Sequence, residues 1–185
     1  RKSKKIAPHF HLPLQSGSDT ILKKMHRHYS VMEFRLLLEK LLEIFPAAAV
    51  GLDIIAGLPG ETDKIFRETY ELLLILPITY LHVFSYSPRP GTRAAQMSGQ
   101  VKGDIIKARS SLLTELSEAK KRQYIEKLVS ENTFLKGIAE KKVKGYWTAL
   151  SDHYIRFYIK NNSLSEKELV TGHPQNALFD GIEVE

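Results

Sequence analysis

The 185-residue chain has no cysteine. That excludes a disulfide scaffold, a thiolate zinc site and any iron–sulfur cluster ligated within this chain by cysteine. Long apolar runs are also missing. Residues 72–76 form one of the longest, far below the ~20 residues a membrane span needs. The basic run Arg1-Lys2-Ser3-Lys4-Lys5 is not followed by the apolar stretch of a signal peptide. No low-complexity segment is present. A soluble, cytoplasmic protein without membrane contact is the expectation.

What is there is an ordinary globular composition, 43% apolar and 26% charged. It excludes a disordered or collagenous chain. The formal net charge is +6, and the pI is about 9.4. That balance suits a polyanionic partner such as nucleic acid. The charge is uneven, +7 on residues 1–129 and −1 on residues 130–185.

Residues 6–129 read as three strand–helix units. The first strand covers about residues 8–14, followed by the turn Gln15-Ser16-Gly17-Ser18-Asp19 and a short helix. Ser30 and Glu33 have capping-box spacing ahead of a longer helix ending near Phe45, with a buried stripe of Phe34, Leu37, Leu38 and Leu41. The second strand, residues 50–56, is almost wholly apolar, as a strand buried on both faces would be. The turn Gly57-Leu58-Pro59-Gly60-Glu61-Thr62 leads into a helix stopped by Pro77. The third strand, residues 80–86, precedes the Pro-flanked loop Ser87-Pro88-Arg89-Pro90-Gly91-Thr92 and a helix over about 102–128. From residue 130 the pattern changes to five short strands with turns such as Asn161-Asn162-Ser163, which suggests a small β-barrel of the oligonucleotide-binding kind.

Repeated β–α units imply a parallel sheet, yet a complete eight-fold barrel takes about 250 residues. Three strands form either a small open sheet with two bare edges or part of a larger barrel. In either case ligands belong at the carboxyl ends of the strands, where all three polar or glycine-rich turns fall. Turn chemistry alone is the alternative reading of each turn.

Gln15 and Ser16 are candidates for hydrogen bonds to a sugar hydroxyl or carboxylate. Gly57 and Gly60 let backbone approach a ligand. Asp53, a charge in an apolar strand, calls for a basic partner, a ligand or a polar lumen. Arg89 is placed to clamp a phosphate or carboxylate, or to sit exposed on the rim. His9 and His11 alternate on one face of the first strand. Without an evident third ligand they read as hydrogen-bonded histidines, and no metal site is assigned. Lys120, Lys121 and Arg122 are candidates for RNA phosphates, or a solvated helix face. Trp147, Tyr154, Phe157 and Tyr158 are candidates for base stacking, although strand alternation must bury some of them.

Pro8-His9-Phe10-His11-Leu12-Pro13-Leu14-Gln15-Ser16-Gly17-Ser18-Asp19, followed by Leu22-Lys23-Lys24-Met25 and Arg27-His28-Tyr29, resembles the radical-SAM methylthiotransferases. So do Asp53-Ile54-Ile55-Ala56-Gly57-Leu58-Pro59-Gly60-Glu61-Thr62 and Leu81-His82-Val83-Phe84-Ser85-Tyr86-Ser87-Pro88-Arg89-Pro90-Gly91-Thr92. The His-Phe-His and Leu-His-Val-Phe-Ser-Tyr-Ser runs look most like the MtaB branch, which acts on N6-threonylcarbamoyladenosine beside the anticodon of tRNA. The tail resembles the family's RNA-binding TRAM domain, most closely at Gly145-Tyr146 and at Asp152-His153-Tyr154-Ile155-Arg156-Phe157.

The resemblance implies an α/β fold: residues 1–129 as the C-terminal portion of an open radical-SAM barrel of the TIM type, and residues 130–185 as a small all-β, OB-like TRAM barrel. It implies S-adenosylmethionine and two [4Fe–4S] clusters in the intact enzyme. With no cluster cysteines, this chain is expected to bind no cluster, to need a missing N-terminal half of the same enzyme, and to be inactive alone. No catalytic residue is assigned within it. By the same resemblance Gln15, Ser16, Asp53, Ile55, Gly57, Tyr86, Ser87 and Pro88 contact S-adenosylmethionine. Arg89, Lys120, Lys121, Arg122, Tyr154 and Arg156 contact tRNA. The alternatives are the same chemistry on isopentenyladenosine in tRNA, a non-catalytic RNA-binding module, and an unrelated α/β-barrel enzyme acting on a phosphorylated small molecule.

Overall fold

Side-chain caps and proline stops punctuate the first 130 residues, and each acts within a few residues of itself. Ser30 accepts the Glu33 N–H while the Glu33 carboxylate accepts the Ser30 N–H, the capping box expected from the spacing. Thr62 caps the next helix by accepting from Ile65 N–H, and Pro77 follows its last turn. A computed structural model describes residues 5–161 and 163–185. Residues 1–4 of the basic N-terminal run, and Asn162 of the expected tail turn, lie outside the described residues.

The elements in order are β1 (His9–Gln15), α1 (Asp19–Lys24), α2 (Val31–Ile44), β2 (Ala49–Ala56), α3 (Asp63–Ile75), β3 (Tyr80–Ser85), α4 (Arg93–Gln96) and α5 (Gly103–Ser130). Six strands follow: β4 (Leu135–Val143), β5 (Tyr146–Ser151), β6 (Arg156–Ile159), β7 (Leu169–Gly172), β8 (Pro174–Leu178) and β9 (Gly181–Val184). The chain divides into two compact units. One comprises Phe10–Pro46 and Val50–Lys120; the other comprises the residues up to His9, Ala47–Ala49 and Lys121–Glu185.

In the first unit the sheet order is β1-β2-β3, so β1 and β3 are the outer strands. β2 and β3 pair in parallel, with Asp53 opposite His82 and Ile55 opposite Phe84. Leu52, Ile54 and Ala56 are fully buried against Phe34, Leu38, Leu73, Leu113 and Leu116 of the helices. Asp53 and Ile55 alternate with them and are only half-buried. Burial on both faces of this strand, expected from its composition, is therefore not what the structure shows. The helical core covers one face, and the other keeps partial access to solvent.

The second unit carries a sheet of order β7-β4-β5-β6-β9-β8. All its described pairings are antiparallel except β6 with β9. Its core joins Leu135, Ala139, Ala149, Ile155, Phe157, Ile182 and Val184 to Tyr124, Ile125 and Leu128 of α5. Sequence reading expects five strands here. The sixth, β8, begins with proline and carries polar Gln175 and Asn176. As an outer strand it does not need a donor on both sides, which is why Pro174 is tolerated. Among the described residues no helix is long and apolar enough to cross a membrane.

His153 is buried in this unit, 4% exposed. The Tyr124 hydroxyl donates to the Ala47 carbonyl at 2.7 Å. Its oxygen is then left to accept from His153 Nδ1 at 2.6 Å. Burial lowers the His153 pKa, against the opposing pull of Asp152 and of a hydrogen bond to the Ala47 backbone. A histidine held neutral in the fold means that the unfolded chain binds the extra proton first. Stability of this unit should therefore fall as the pH drops below the unfolded value of about 6.5. Trp147, the one tryptophan in the chain, lies in β5 and reports on this unit by fluorescence. Urea midpoints should decline from about pH 7.5 to about pH 5.5, and the decline should shrink in His153→Gln. An equal decline in both proteins would show that another group is responsible.

Candidate functional site

The loops at the carboxyl ends of the first unit's strands are built for tight backbone turns. At the end of β1, Gln15 adopts φ 69°, unusual for a residue with a side chain. Ser16 is buried, and its hydroxyl accepts the Ser18 N–H at 3.3 Å. The Gly17 N–H donates to Thr69 Oγ1 at 3.2 Å. The Ser16 hydroxyl and the Gly17 N–H are thus engaged within the turn and with α3.

The turn after β2 is held by a buried charge pair. Gly57, at φ +84°, donates its N–H to Glu61 Oε1 at 2.9 Å. Arg109 of α5 reaches the same carboxylate oxygen at 2.7 Å and the Glu61 carbonyl at 3.0 Å. The side chains of Arg109 and Glu61 are 6% and 2% exposed. Arg109 also meets Asp63, whose side chain is 91% exposed, so that second contact adds little. Gly60 donates to the Gly99 carbonyl at 2.8 Å, tying this turn to the segment after α4. Neither Glu61 nor Arg109 stands out in sequence as more than a loop carboxylate and one cation of a long helix.

At the end of β3, Tyr86 N–H donates to the Ala56 carbonyl at 2.9 Å, drawing this loop against the end of β2. Ile55, Phe84, Ser85, Tyr86, Ser87, Arg89 and Thr92 line an open cleft of about 320 Å³. The Tyr86 hydroxyl is buried and finds no hydrogen-bond partner among the described residues, an arrangement that favours a ligand able to pair with it. Three residues expected to contact S-adenosylmethionine, Ile55, Tyr86 and Ser87, are therefore brought together, and Arg89, expected to contact tRNA, lines the same cleft. Gln15, Ser16, Gly57 and Pro88 do not line this cleft. Asp53 faces a different set: its carboxylate lies 2.7 Å from His11 Nε2 and 3.6 Å from His82 Nδ1. His9, which sequence alternation groups with His11, stacks instead on Tyr154 at 4.5 Å in the second unit.

The expected RNA contacts fall apart in similar detail. Lys120 donates to the Leu74 and Leu76 carbonyls at 2.7 Å each, where it closes the end of α3. Burial lowers its pKa. In the second unit Arg156 pairs with Asp180 at 3.2 Å. Burial alone would raise the Asp180 carboxyl, but the Tyr158 hydroxyl and the Arg156 and Lys121 cations outweigh it and lower its pKa. Arg122 and Tyr154 are exposed, whereas Phe157 and Tyr158 are buried. Tyr154 sits at φ +59° in the turn before β6, not within a strand.

Sequence reading passes over a different cluster. Tyr146, Tyr158 and Phe179 pack edge to face. Lys144 lies 4.3 Å from the Phe179 ring, Lys160 5.7 Å from Tyr146, and Lys142 5.5 Å from Trp147. The signal available beforehand was the basic run Lys141-Lys142-Val143-Lys144 beside Tyr146 and Trp147. Its partner Phe179 lies beyond three further strands.

Residues 1–73 match the family model of the Radical SAM superfamily. The threonylcarbamoyladenosine tRNA methylthiotransferase MtaB of Aquifex aeolicus is 43% identical over 123 residues, 66% of this chain and 30% of that protein. Its namesake from Bacillus subtilis is 36% identical over 186 residues, 95% of this chain and 41% of that protein. A tRNA-2-methylthio-N(6)-dimethylallyladenosine synthase of Thermobifida fusca is 43% identical over 113 residues, 61% of this chain and 23% of that protein. The chain spans less than half the length of these curated relatives. Over the residues it shares with them, the chain belongs to the radical-SAM methylthiotransferase family.

Proposed function

We propose that this chain is the ligand-positioning and RNA-binding portion of a tRNA methylthiotransferase acting on N6-threonylcarbamoyladenosine. In this reading residues 1–129 are the C-terminal part of an open radical-SAM barrel, and residues 130–185 are a TRAM-like β-barrel. The setting is the cytoplasm, where tRNA is modified. The carrying observation is the cleft at the ends of β2 and β3, lined by Ile55, Tyr86, Ser87 and Arg89.

S-Adenosylmethionine fits the chemistry of this cleft. Ile55 supplies an apolar wall for a flat base, Tyr86 and Ser87 supply hydroxyls, and Arg89 supplies a cation for a carboxylate. Gln15, Ser16, Gly57 and Pro88 belong to the neighbouring strand ends and shape the rim, whereas Asp53, within β2, faces His11 and His82 instead. When bound, S-adenosylmethionine supplies the radical-forming and methyl-donating chemistry of this enzyme family. Iron–sulfur clusters do not fit this chain: it has no cysteine, so another polypeptide segment must hold them. In the second unit Lys142, Lys144 and Lys160 over their aromatic rings, together with Tyr154, Lys121, Arg122 and Arg156, offer charge and stacking surface to tRNA.

The test is a chimera. Residues 1–185 replace the corresponding segment of the Bacillus subtilis relative, in a strain lacking its own methylthiotransferases, and tRNA nucleosides are read by mass spectrometry. Methylthiolated threonylcarbamoyladenosine supports the proposal. Methylthiolated dimethylallyladenosine instead moves the target to the alternative named by other relatives. A folded, cluster-loaded chimera that modifies neither, yet binds tRNA in a salt-dependent way, favours the non-catalytic RNA-binding reading.

A further inference from the structure

The partly open face of the first unit's sheet brings together three potential metal ligands, one from each strand. His11 on β1, Asp53 on β2 and His82 on β3 place one donor atom each within 4.8 Å of one another. We infer that these three residues form a binding site for a divalent transition-metal ion of the zinc type, separate from the cleft that contains Tyr86.

The donor set is two imidazoles and one carboxylate. It suits borderline ions such as zinc, cobalt and nickel better than magnesium or calcium, which prefer all-oxygen shells. In a tetrahedral site with bonds of about 2.0–2.1 Å, neighbouring ligand atoms lie about 3.3 Å apart. The two separations at Asp53, 2.7 Å to His11 and 3.6 Å to His82, bracket that value. The imidazole nitrogens, within 4.8 Å, need to close by at most about 1.5 Å, which rotation of exposed rings supplies.

The sheet itself holds the set in place. Asp53 and His82 are direct register partners in the parallel β2–β3 ladder, so their side chains leave the same face side by side. Tyr80, nearly buried, packs against both imidazoles, 5.1 Å from the His82 ring and 6.3 Å from the His11 ring. The ligand side chains stay open to an incoming ion, with exposures of 33% for His11, 23% for Asp53 and 46% for His82. Three protein ligands leave one position for water, the pattern of a site that can exchange its fourth ligand.

The inference does not rest on the proposed tRNA chemistry, and its test uses neither tRNA nor S-adenosylmethionine. The full chain, purified without a histidine tag, is titrated with Zn2+ by calorimetry and with Co2+ by visible absorption. One ion per chain with the intense ligand-field bands of low-coordinate cobalt is the expected result. Asp53→Asn and His82→Gln should each weaken binding at least tenfold, while His28→Gln on the exposed turn after α1 should leave it unchanged. His82→Gln keeps the His11–Asp53 hydrogen bond, so it tests the site even where Asp53→Asn perturbs folding. Binding that is absent, non-stoichiometric, or indifferent to His82→Gln in a folded variant overturns the inference.

Discussion

Arg109→Met should be among the most damaging single substitutions in the first unit, costing about 3–5 kcal/mol of stability. The reason is less the loss of an attraction than the Glu61 charge it strands. With side-chain exposures of 6% and 2%, neither partner can be rescued by water. The same carboxylate accepts the Gly57 N–H, so the turn at the end of β2 should loosen with it. Burial already raises the Glu61 pKa, against the lowering effect of the Gly57 N–H and of Arg109. Removing the cation pushes it higher still. A carboxyl with a raised folded pKa loses its contribution as pH rises through that value, so the penalty should be smaller at about pH 5 than at about pH 8. Urea unfolding followed by helical circular dichroism reads both effects. Adding Glu61→Gln to Arg109→Met should recover part of the loss, because no buried charge then remains. A single variant within about 1 kcal/mol of the parent would mean that Glu61 is neutral in the fold and the pair is dispensable.

Gly57→Ala is the second large effect, expected at about 3 kcal/mol from two additive causes. Its φ of +84° is a left-handed conformation that costs a residue with a Cβ about 1–2 kcal/mol. The added Cβ would also lie 2.3 Å from Ile106 Cγ1 and 2.8 Å from its Cδ1, and overpacking of this kind costs about 1–3 kcal/mol. Gly91 separates the two. At φ +81° with nothing within 4 Å of a Cβ, Gly91→Ala should show the backbone cost alone. Measured in an Ile106→Ala background, the added cost of Gly57→Ala should fall to that level. If Gly57→Ala and Gly91→Ala cost the same, the contact with Ile106 has relaxed away and only backbone strain remains.

Much of the first unit was legible in advance because its signals are local. The Ser30–Glu33 capping box and the stop at Pro77 each involve residues within one turn of helix. The β2 strand and the glycine turn after it were also legible, Gly57 and Gly60 both adopting positive φ as tight turns require. β8 was not, because a proline and two polar residues in five positions give no strand periodicity. Its pairing partner β9 supplies what local preference lacks. At the candidate site, Ile55, Tyr86, Ser87 and Arg89 could be placed at strand ends from sequence. That they share one cleft, and that Gln15 and Ser16 do not line it, depends on how the loops fold back.

The same division separates the charged residues. Lys120 reads in sequence as part of a basic helix face, yet its ammonium closes the carboxyl end of α3, 44 residues earlier in the chain at its nearer contact. Asp53 reads as an isolated charge in an apolar strand, yet it sits between His11 and His82. Sequence alone excluded cysteine chemistry within this chain, placed the Ser30–Glu33 capping box and the turn glycines, and pointed to the family through ordered strand-end runs. Those features are set by short-range hydrogen bonding, backbone sterics and residue type. Which side chains meet was decided by the tertiary structure. Sheet order, strand register and the packing of α5 bring together groups distant along the chain, and no local preference encodes those distances.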